Sequence, residues 1–492
     1  MNHVAHPILT CAEAKEFEAA YFAGDEAREW RAMQQAGCAV GDGILRDYEE
    51  IGGFPSAGRV LVLAGKGHNA GDALIAARRI AELHPGAWIE VRFVLGERAL
   101  RPLAAMAWRE LAEREQARGL RAESSTYDLV IDGVFGFQFR APLEPQVASL
   151  LAEVNAMPIR FRAAVDLPSG LDEAGAFRAD FTYATGIVKS PLLTLKNAGR
   201  VRYLDLGFEV NRMKPSATDH VLTSTVLDPL RALRSPQSDK RTYGHVFIVG
   251  GSRSYPGAVL MSVLAALRSG AGLVTAFVPE SLAPAFAARA PEAMWVGWPE
   301  SPEGGLALEG SHLLRERIAR ASVLLIGPGL GRDAETLALV KDIVRQASVP
   351  LVIDADALQA DIVTLGKAPR IFTPHAGEYA RIEHALAAAA EGKASSADTV
   401  VIQKGPVTRV RVGAVTYHSF FGGPVLARGG SGDVLAGLTA GLLAQTPDDL
   451  SGAASRGVVW HGLAADALAR AKGQVAVQTT QLVDYLGVAM RF

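Results

Sequence analysis

Apolar positions in this chain gather into short runs, separated by longer stretches in which they recur at helical spacing. The first segment, Ala12 to about Ile44, is rich in alanine and charge and reads as helical. The runs RVLVLAG, WIEVRFVLG, YDLVIDG, RAAVDLPSG and VRYLDLG then follow, with helical patterns between them. Strands that alternate with helices predict βαβ units and a mostly parallel sheet. The rhythm lapses in LDPLRALRSPQSDKR, where Pro229, Ser235, Pro236 and Ser238 crowd together, and resumes with HVFIVGG, GLVTAFVP, SVLLIGPG, PLVIDAD, PRIFTPH and TVVIQKG. The expected division is a first domain over 1–226, a linker over 227–240 and a second domain over 241–492. No short-period repeat is visible, and the alanine-rich His384–Ala390 reads as a helix surface.

Composition narrows the picture. With 492 residues and 49% of them hydrophobic, the chain can build more than one core. Its 50 basic and 52 acidic residues give a net charge of −2, and so no reason to expect nucleic acid or an anionic membrane as partner. Cys11 and Cys38 match no metal or redox spacing, which favours a reducing compartment. The N-terminus lacks a signal-peptide pattern and no long charge-free apolar window occurs, so a cytoplasmic protein is expected.

In open α/β sheets, ligands collect at the carboxyl ends of strands. Four motifs of the second half belong there. GPGLGRD, Gly327–Asp333, lets backbone approach a ligand, and DADAL, Asp354–Leu358, offers carboxylates that could organise a metal or its waters. QKGPVT places Lys404 beside a turn, and GGSGD leads from Gly429 to Asp433. Taken singly each has a plainer reading: a turn, a helix cap, a solvated lysine. Following the strands of one sheet in order, they point instead to a phosphate-binding pocket containing an aspartate. His375 also fits a helix cap, and His461, within an apolar helical pattern, reads as a core histidine.

From about Lys240 onward the chain resembles the NAD(P)H-hydrate dehydratase branch of the ribokinase-like superfamily. The resemblance rests on YGHVFIVGGSRSYPGAVLMSVLAALRSGAGLVT, GPGLGRD, DADAL, TPHAGE, KGPVT and GGSGDVLAG. It implies a three-layer α/β fold and an enzyme that uses ADP (ATP in eukaryotes) with Mg²⁺ to remove water from hydrated NADH or NADPH. It places the hydrate against Ala258, Gly331, His375 and Asp433. The nucleotide would lie along Lys404, Gly405, Pro406, Val407 and Thr408 and at Gly430, Ser431 and Gly432. Phosphorylating the C6 hydroxyl turns a poor leaving group into phosphate. That step needs a base, here Asp433, and amide donors around the phosphoryl oxygens, here Gly430–Gly432.

In the first half, LAGKGHNAGDALIAARRI follows a strand and opens a helix, yet misses the dinucleotide-binding glycine spacing by one residue. Pro7 to Val226 resembles the NAD(P)H-hydrate epimerase family through GKGHNAGD, VIDGVFGFQFRAPL, AVDLPSGLD and ADFTYATGIVK. The resemblance implies a Rossmann-like three-layer domain that interconverts the R and S hydrates. It maps K⁺ to Asn69, Asp132 and Ser169, oxygen donors suited to a hard cation. It lays the hydrate along His68, Asn69, Ala70, Gly71 and Asp72 and along Gly136, Phe137, Gln138, Phe139, Arg140, Ala141 and Pro142. Asp166 is the expected acid/base group, with Lys189 a weaker polar candidate. The family loop generally reads Asn-Asn-Gly-Gly-Asp-Gly, so His68, Ala70 and Ala73 depart from it, as does Gln138 at a usual glycine. An added Cβ bars positive φ and crowds a ligand.

The leading expectation is therefore a bifunctional NAD(P)H-hydrate repair enzyme that takes hydrates and ADP and releases AMP and phosphate. It is expected to form a homo-oligomer. The competing expectation is a vitamin or sugar-alcohol kinase fused to a non-catalytic nucleotide-binding or oligomerisation module.

Overall fold

A computed structural model describes residues 4–116, 126–208, 210, 217–391 and 398–491. It contains two α/β sheets. The first has six strands in the order Trp88–Phe93, Arg59–Ala64, Leu129–Gly133, Phe161–Val165, Phe181–Thr185, Arg200–Leu204, every pair parallel. Side chains alternate across a strand. Val60 and Val62 accordingly join the core beneath the helices Glu26–Tyr48, His68–Leu83 and Pro102–Gln116. Leu61 and Leu63 face the other way, against Pro145–Ala156. Both faces are covered, as a parallel sheet requires, and this is the expected Rossmann-like three-layer arrangement.

The second sheet has eleven strands. A parallel run crosses from Thr399–Gln403 through Arg370–Phe372, Leu351–Ile353, Val323–Ile326, His245–Val249 and Leu273–Pro279 to Met294–Trp298. The helices Pro256–Arg268, Ser431–Gln445, Leu450–Lys472 and Thr479–Ala489 cover one face, and Ala334–Gln346 and Ala376–Glu391 the other. On the far side of Thr399–Gln403 the sheet continues through the antiparallel hairpin Thr408–Val412 and Val415–Ser419. It then takes in Asp219–Leu222 and finally Ala5–Pro7.

The sheets thus divide differently from the chain: the second recruits strands from both ends of 1–226, the range expected to form the first domain. The apolar rhythm overlooks these strands because they are short. It overlooks the hairpin because its TRVRV and VTYHS strands carry polar and charged side chains on the sheet edge. The segment read as helical holds two helices, Cys11–Phe22 and Glu26–Tyr48. Ala23 turns left-handed with φ +49°, and Asp25 caps the second helix by accepting from Arg28 N–H. Among the described residues no helix is long and apolar enough to cross a membrane.

Candidate functional sites

In the first half, a cavity of about 420 Å³ opens at the carboxyl ends of the strands. Asp166 follows the strand Phe161–Val165 with φ +64°, a conformation aspartate tolerates better than most residues. Its Oδ1 accepts from Lys189 Nζ at 2.5 Å and its Oδ2 from Phe137 N–H at 3.3 Å. Both members of this ion pair are buried, and Lys189 Nζ lies 5.1 Å from the centre of the Phe137 ring. Asp72 also lines the cavity and is 9% exposed. Burial, then the charges of Asp166 and Glu18, hold its carboxyl well above the usual range. Glu18, reaching in from the helix Cys11–Phe22, is pushed up to about 7, chiefly by burial.

Most residues expected to hold the hydrate line this cavity; Ala70, Gly71 and Ala141 do not. Ala70 is fully buried, and a Cβ on Gly71 would strike Met33 Sδ at 2.4 Å, so both serve helix packing. His68, Ala70, Ala73 and Gln138 all have ordinary φ values, so none of the departures from the family loop meets a backbone that demands glycine. Asn69, Asp132 and Ser169 converge around the loop Val134–Gly136. Ser169 donates to Asp132 from Oγ at 2.6 Å and from its backbone N–H at 2.8 Å. Burial outweighs these bonds and pushes Asp132 up to about 6.

In the second half, the turn after Ala427 passes through Gly430, φ +89°, into the helix Ser431–Gln445, which carries Asp433 in its first turn. A Cβ on Gly432 would lie 3.0 Å from Lys404 Nζ, so glycine there admits the lysine to the amides of the turn. Lys404 is not solvated: its Nζ donates to Asp354 at 2.9 Å and lies 3.9 Å from Glu378. Thr373 Oγ1 also donates to Asp354, at 2.6 Å. The loop Gly327–Asp333 needs its glycines. Gly327 has φ +130°, and a Cβ there would meet Asp354 O at 1.8 Å. Gly331 N–H donates to Asp356 at 3.0 Å. Burial first, then the charges of Asp354, Asp356 and Glu378, push Asp433 up to about 7; Lys404 opposes them.

Ala258, Gly331, His375 and Asp433 share this region. Ala258 packs on Gly329 in the glycine loop, and its helix donates Ser262 Oγ to Asp433 O at 2.9 Å. His375 does cap the next helix, its Nδ1 accepting from Gly377 N–H at 3.0 Å and Glu378 N–H at 3.3 Å. Its ring remains largely exposed and so free to meet a ligand as well. His461 is buried beside Ser431, with its Nε2 unpartnered, and burial lowers its imidazole to about 4. Thr408 Oγ1 closes the Lys404–Thr408 turn on Gly405 O at 3.4 Å.

Two family models match the chain: NAD(P)H-hydrate dehydratase over residues 246–487, and YjeF-related protein N-terminus over 30–190. A protein of Gloeobacter violaceus named bifunctional NAD(P)H-hydrate repair enzyme Nnr is 35% identical, with 94% of this chain and 93% of that protein covered. The chain belongs to this family of bifunctional NAD(P)H-hydrate repair enzymes. The like-named protein of Moorella thermoacetica is 34% identical over 93% of this chain and 92% of its own. Among solved structures, the ADP/ATP-dependent NAD(P)H-hydrate dehydratase of Bacillus subtilis, co-crystallised with ATP and Mg²⁺, is 27% identical with a TM-score of 0.44. It covers 53% of this chain and 93% of that one. The kinase expectation is not favoured, because the relatives match across both halves together. For a repair enzyme of this family, the sequence reading passed over Glu18 and left Glu378 without a role. Glu18 sits on a helix far along the chain from Asp166, with no motif around it. Glu378 stands in TPHAGE, where its three-residue spacing from His375 was the available signal.

Proposed function

We propose that the first half interconverts the R and S hydrates and that the second half dehydrates the S form at the expense of ADP, releasing AMP and phosphate. The observation that carries this reading is Asp433, a carboxylate poised near neutrality beside an amide-lined glycine turn. A base with that affinity for protons is matched to its task at neutral pH. Asp433 takes the proton of the C6 hydroxyl as its oxygen attacks the terminal phosphorus and the phosphoanhydride bond breaks. The amides of Gly430–Gly432 and Lys404 meet the charge that develops on the phosphoryl oxygens. Phosphate then leaves C6 with the electron pair while C5 gives up a proton, restoring the double bond. In the first half, Asp166 is the acid/base group at C6, fixed in place by Lys189.

The residues present fit both expected ions. Asp354, Asp356 and Glu378 are already engaged by protein donors, and among the described residues no three His, Cys, Asp or Glu side chains converge as direct ligands. That arrangement suits Mg²⁺, which keeps its waters and is shared with phosphates, whose charge it neutralises. In the first half, a Cβ on Gly136 would come within 3.2 Å of Asn69 Oδ1 and 3.3 Å of Asp166 Oδ2, so a side chain there would crowd that cradle. Asn69, Asp132 and Ser169 would hold K⁺ there, supplying positive charge to a buried acidic site. The test is to incubate the protein with mixed NADH hydrates, Mg²⁺ and either ADP or ATP, and follow the return of NADH absorbance. Full recovery is expected with ADP; recovery that stops at the S fraction would remove the epimerase, and none would remove the whole reading.

A further inference from the structure

Between the two sheets lies a buried ion network that neither reaction uses. Arg202, on the last strand of the first sheet, donates to Asp47 from Nε and Nη2 at 3.1 Å each. It also reaches Asp466, on the helix Leu450–Lys472 of the second half, from Nη1 and Nη2 at 3.0 Å each. Arg200 donates to Glu50 at 2.5 Å and to Asp466 at 2.8 Å. Asp47, Glu50 and Asp466 are at most 1% exposed, and with Arg470 3.6 Å from Asp47 the cluster holds three cations against three anions. Burial works against the charge of Asp466, and Arg202 and Arg200 overcome it, holding its carboxyl below the usual range.

The network grips backbone as well as charge, and all of it on one route. Arg200 donates to Gly422 O at 2.9 Å, Arg202 to Phe420 O at 3.4 Å, and Asp466 accepts from Gly422 N–H at 3.0 Å. A Cβ on Gly423 would lie 2.4 Å from the Arg200 guanidinium carbon, so the chain passes flat against it. This segment runs directly into the phosphate turn, and Ser431 Oγ closes that turn on Leu426 O at 2.7 Å. Further along the same segment, Glu50 accepts from Gln474 at 2.6 Å, while the carbonyls of Gln474 and Val475 accept from Arg428 at 2.9 and 2.7 Å. Arg428 is the residue before Gly429. The segment that leads into the turn is therefore held from the first half at both its ends.

We propose that Glu50, Arg200 and Arg202 are positioning residues for the dehydratase: the epimerase half sets the phosphate-binding turn of its neighbour. The inference rests on reading Gly429–Asp433 as the phosphoryl site. Its test measures, in the full chain, KM for ADP, KM for the S hydrate, dehydration kcat, epimerisation rate and thermal unfolding for Arg200→Met, Arg200→Lys and Gln474→Leu. Gln474→Leu removes one hydrogen bond without stranding a charge. It is expected to raise KM for ADP about 3- to 10-fold, the worth of one such bond, with KM for the hydrate and epimerisation within about twofold. Arg200→Met should raise KM for ADP further, and Arg200→Lys should recover part of the loss. The proposal falls if the variants lower thermal stability while KM for ADP stays at the wild-type value, or if both KM values rise together. Should Arg200→Met fail to fold, Gln474→Leu decides alone. A wild type that shows no ADP-dependent dehydration would instead overturn the underlying reading.

Discussion

Asp166 in the first half accepts a hydrogen bond directly from a buried lysine, whereas the lysine beside Asp433, Lys404, is committed to Asp354. One carboxylate is held directly against its counter-charge. The other is left among further carboxylates, in a partly buried place where protonation costs little. The difference follows the chemistry proposed for each. Epimerisation needs an acid/base group held in a fixed place against the reacting ring. Phosphoryl transfer needs a base that takes up a proton near neutral pH and later gives it back.

Asp433→Asn probes this contrast most severely. Dehydration should fall about 10²- to 10⁴-fold, the usual worth of a positioned base, with epimerisation unchanged. In the wild type the dehydration rate should decline as pH drops below about 7, where Asp433 protonates. Stability has the opposite sign. A folded value raised above the unfolded one means that stability is lost as pH climbs from about 4 to 7. The asparagine variant should therefore be more stable than wild type at pH 8, by up to ~4 kcal/mol, read from chemical denaturation. A variant no more stable than wild type at pH 8 would show that Asp433 is not held near neutrality.

The locked pair predicts a different failure. Lys189→Met strands a buried carboxylate and should cost about 3–5 kcal/mol, with use of the R hydrate lost and use of the S hydrate kept. Asp166→Asn should also stop use of the R form, yet leaves no stranded anion, only a buried lysine free to reach other acids of the cavity. Its loss of stability should be the smaller of the two, as read from chemical denaturation. Equal losses would mean that the pair is not organised around Asp166.

How much of this was legible in the sequence differs between the sites for a physical reason. Asp433, Gly432 and Lys404 sit in compact motifs, where turn chemistry announces itself over a few residues, and the expected residues do meet in space. The partners that set their chemistry were only half visible. DADAL marked Asp354 as a strand-end acid, but nothing local told that its oxygen takes both Thr373 and Lys404. Arg200, Arg202 and Asp466 carry no motif, because long-range ion pairs depend on how two sheets meet; Glu18 carries none because only the fold brings its helix to the cavity. The edge strands were missed for a related reason: a strand that owes its place to a neighbouring edge need not be apolar.

Removing the lysine of the second site gives a smaller, directional effect. The charge of Lys404 restrains the rise of Asp433, so Lys404→Met should move the acid limb of the dehydration profile above pH 7, as well as raise KM for ADP. A limb that stays in place while KM rises would mean that Lys404 serves the nucleotide alone.

The smallest expected effect concerns the loop where this chain departs from its family. Ala73 lies inside the helix His68–Leu83, fully buried, and neither it nor Gln138 has a positive φ. Restoring glycine at 73 therefore relieves no strain. It removes a buried methyl and adds backbone freedom to the unfolded chain, a cost of roughly 0.5–1 kcal/mol from the helix term alone. Ala73→Gly should lower the melting temperature with the KM for the R hydrate within about twofold. Gln138 lines the cavity, so Gln138→Gly is the sharper probe of ligand contact. If either glycine increases epimerisation several-fold, the side chains crowd the substrate after all, and the first site is a weakened version of its family's; unchanged rates would show that the loop tolerates these side chains because its backbone never required glycine there.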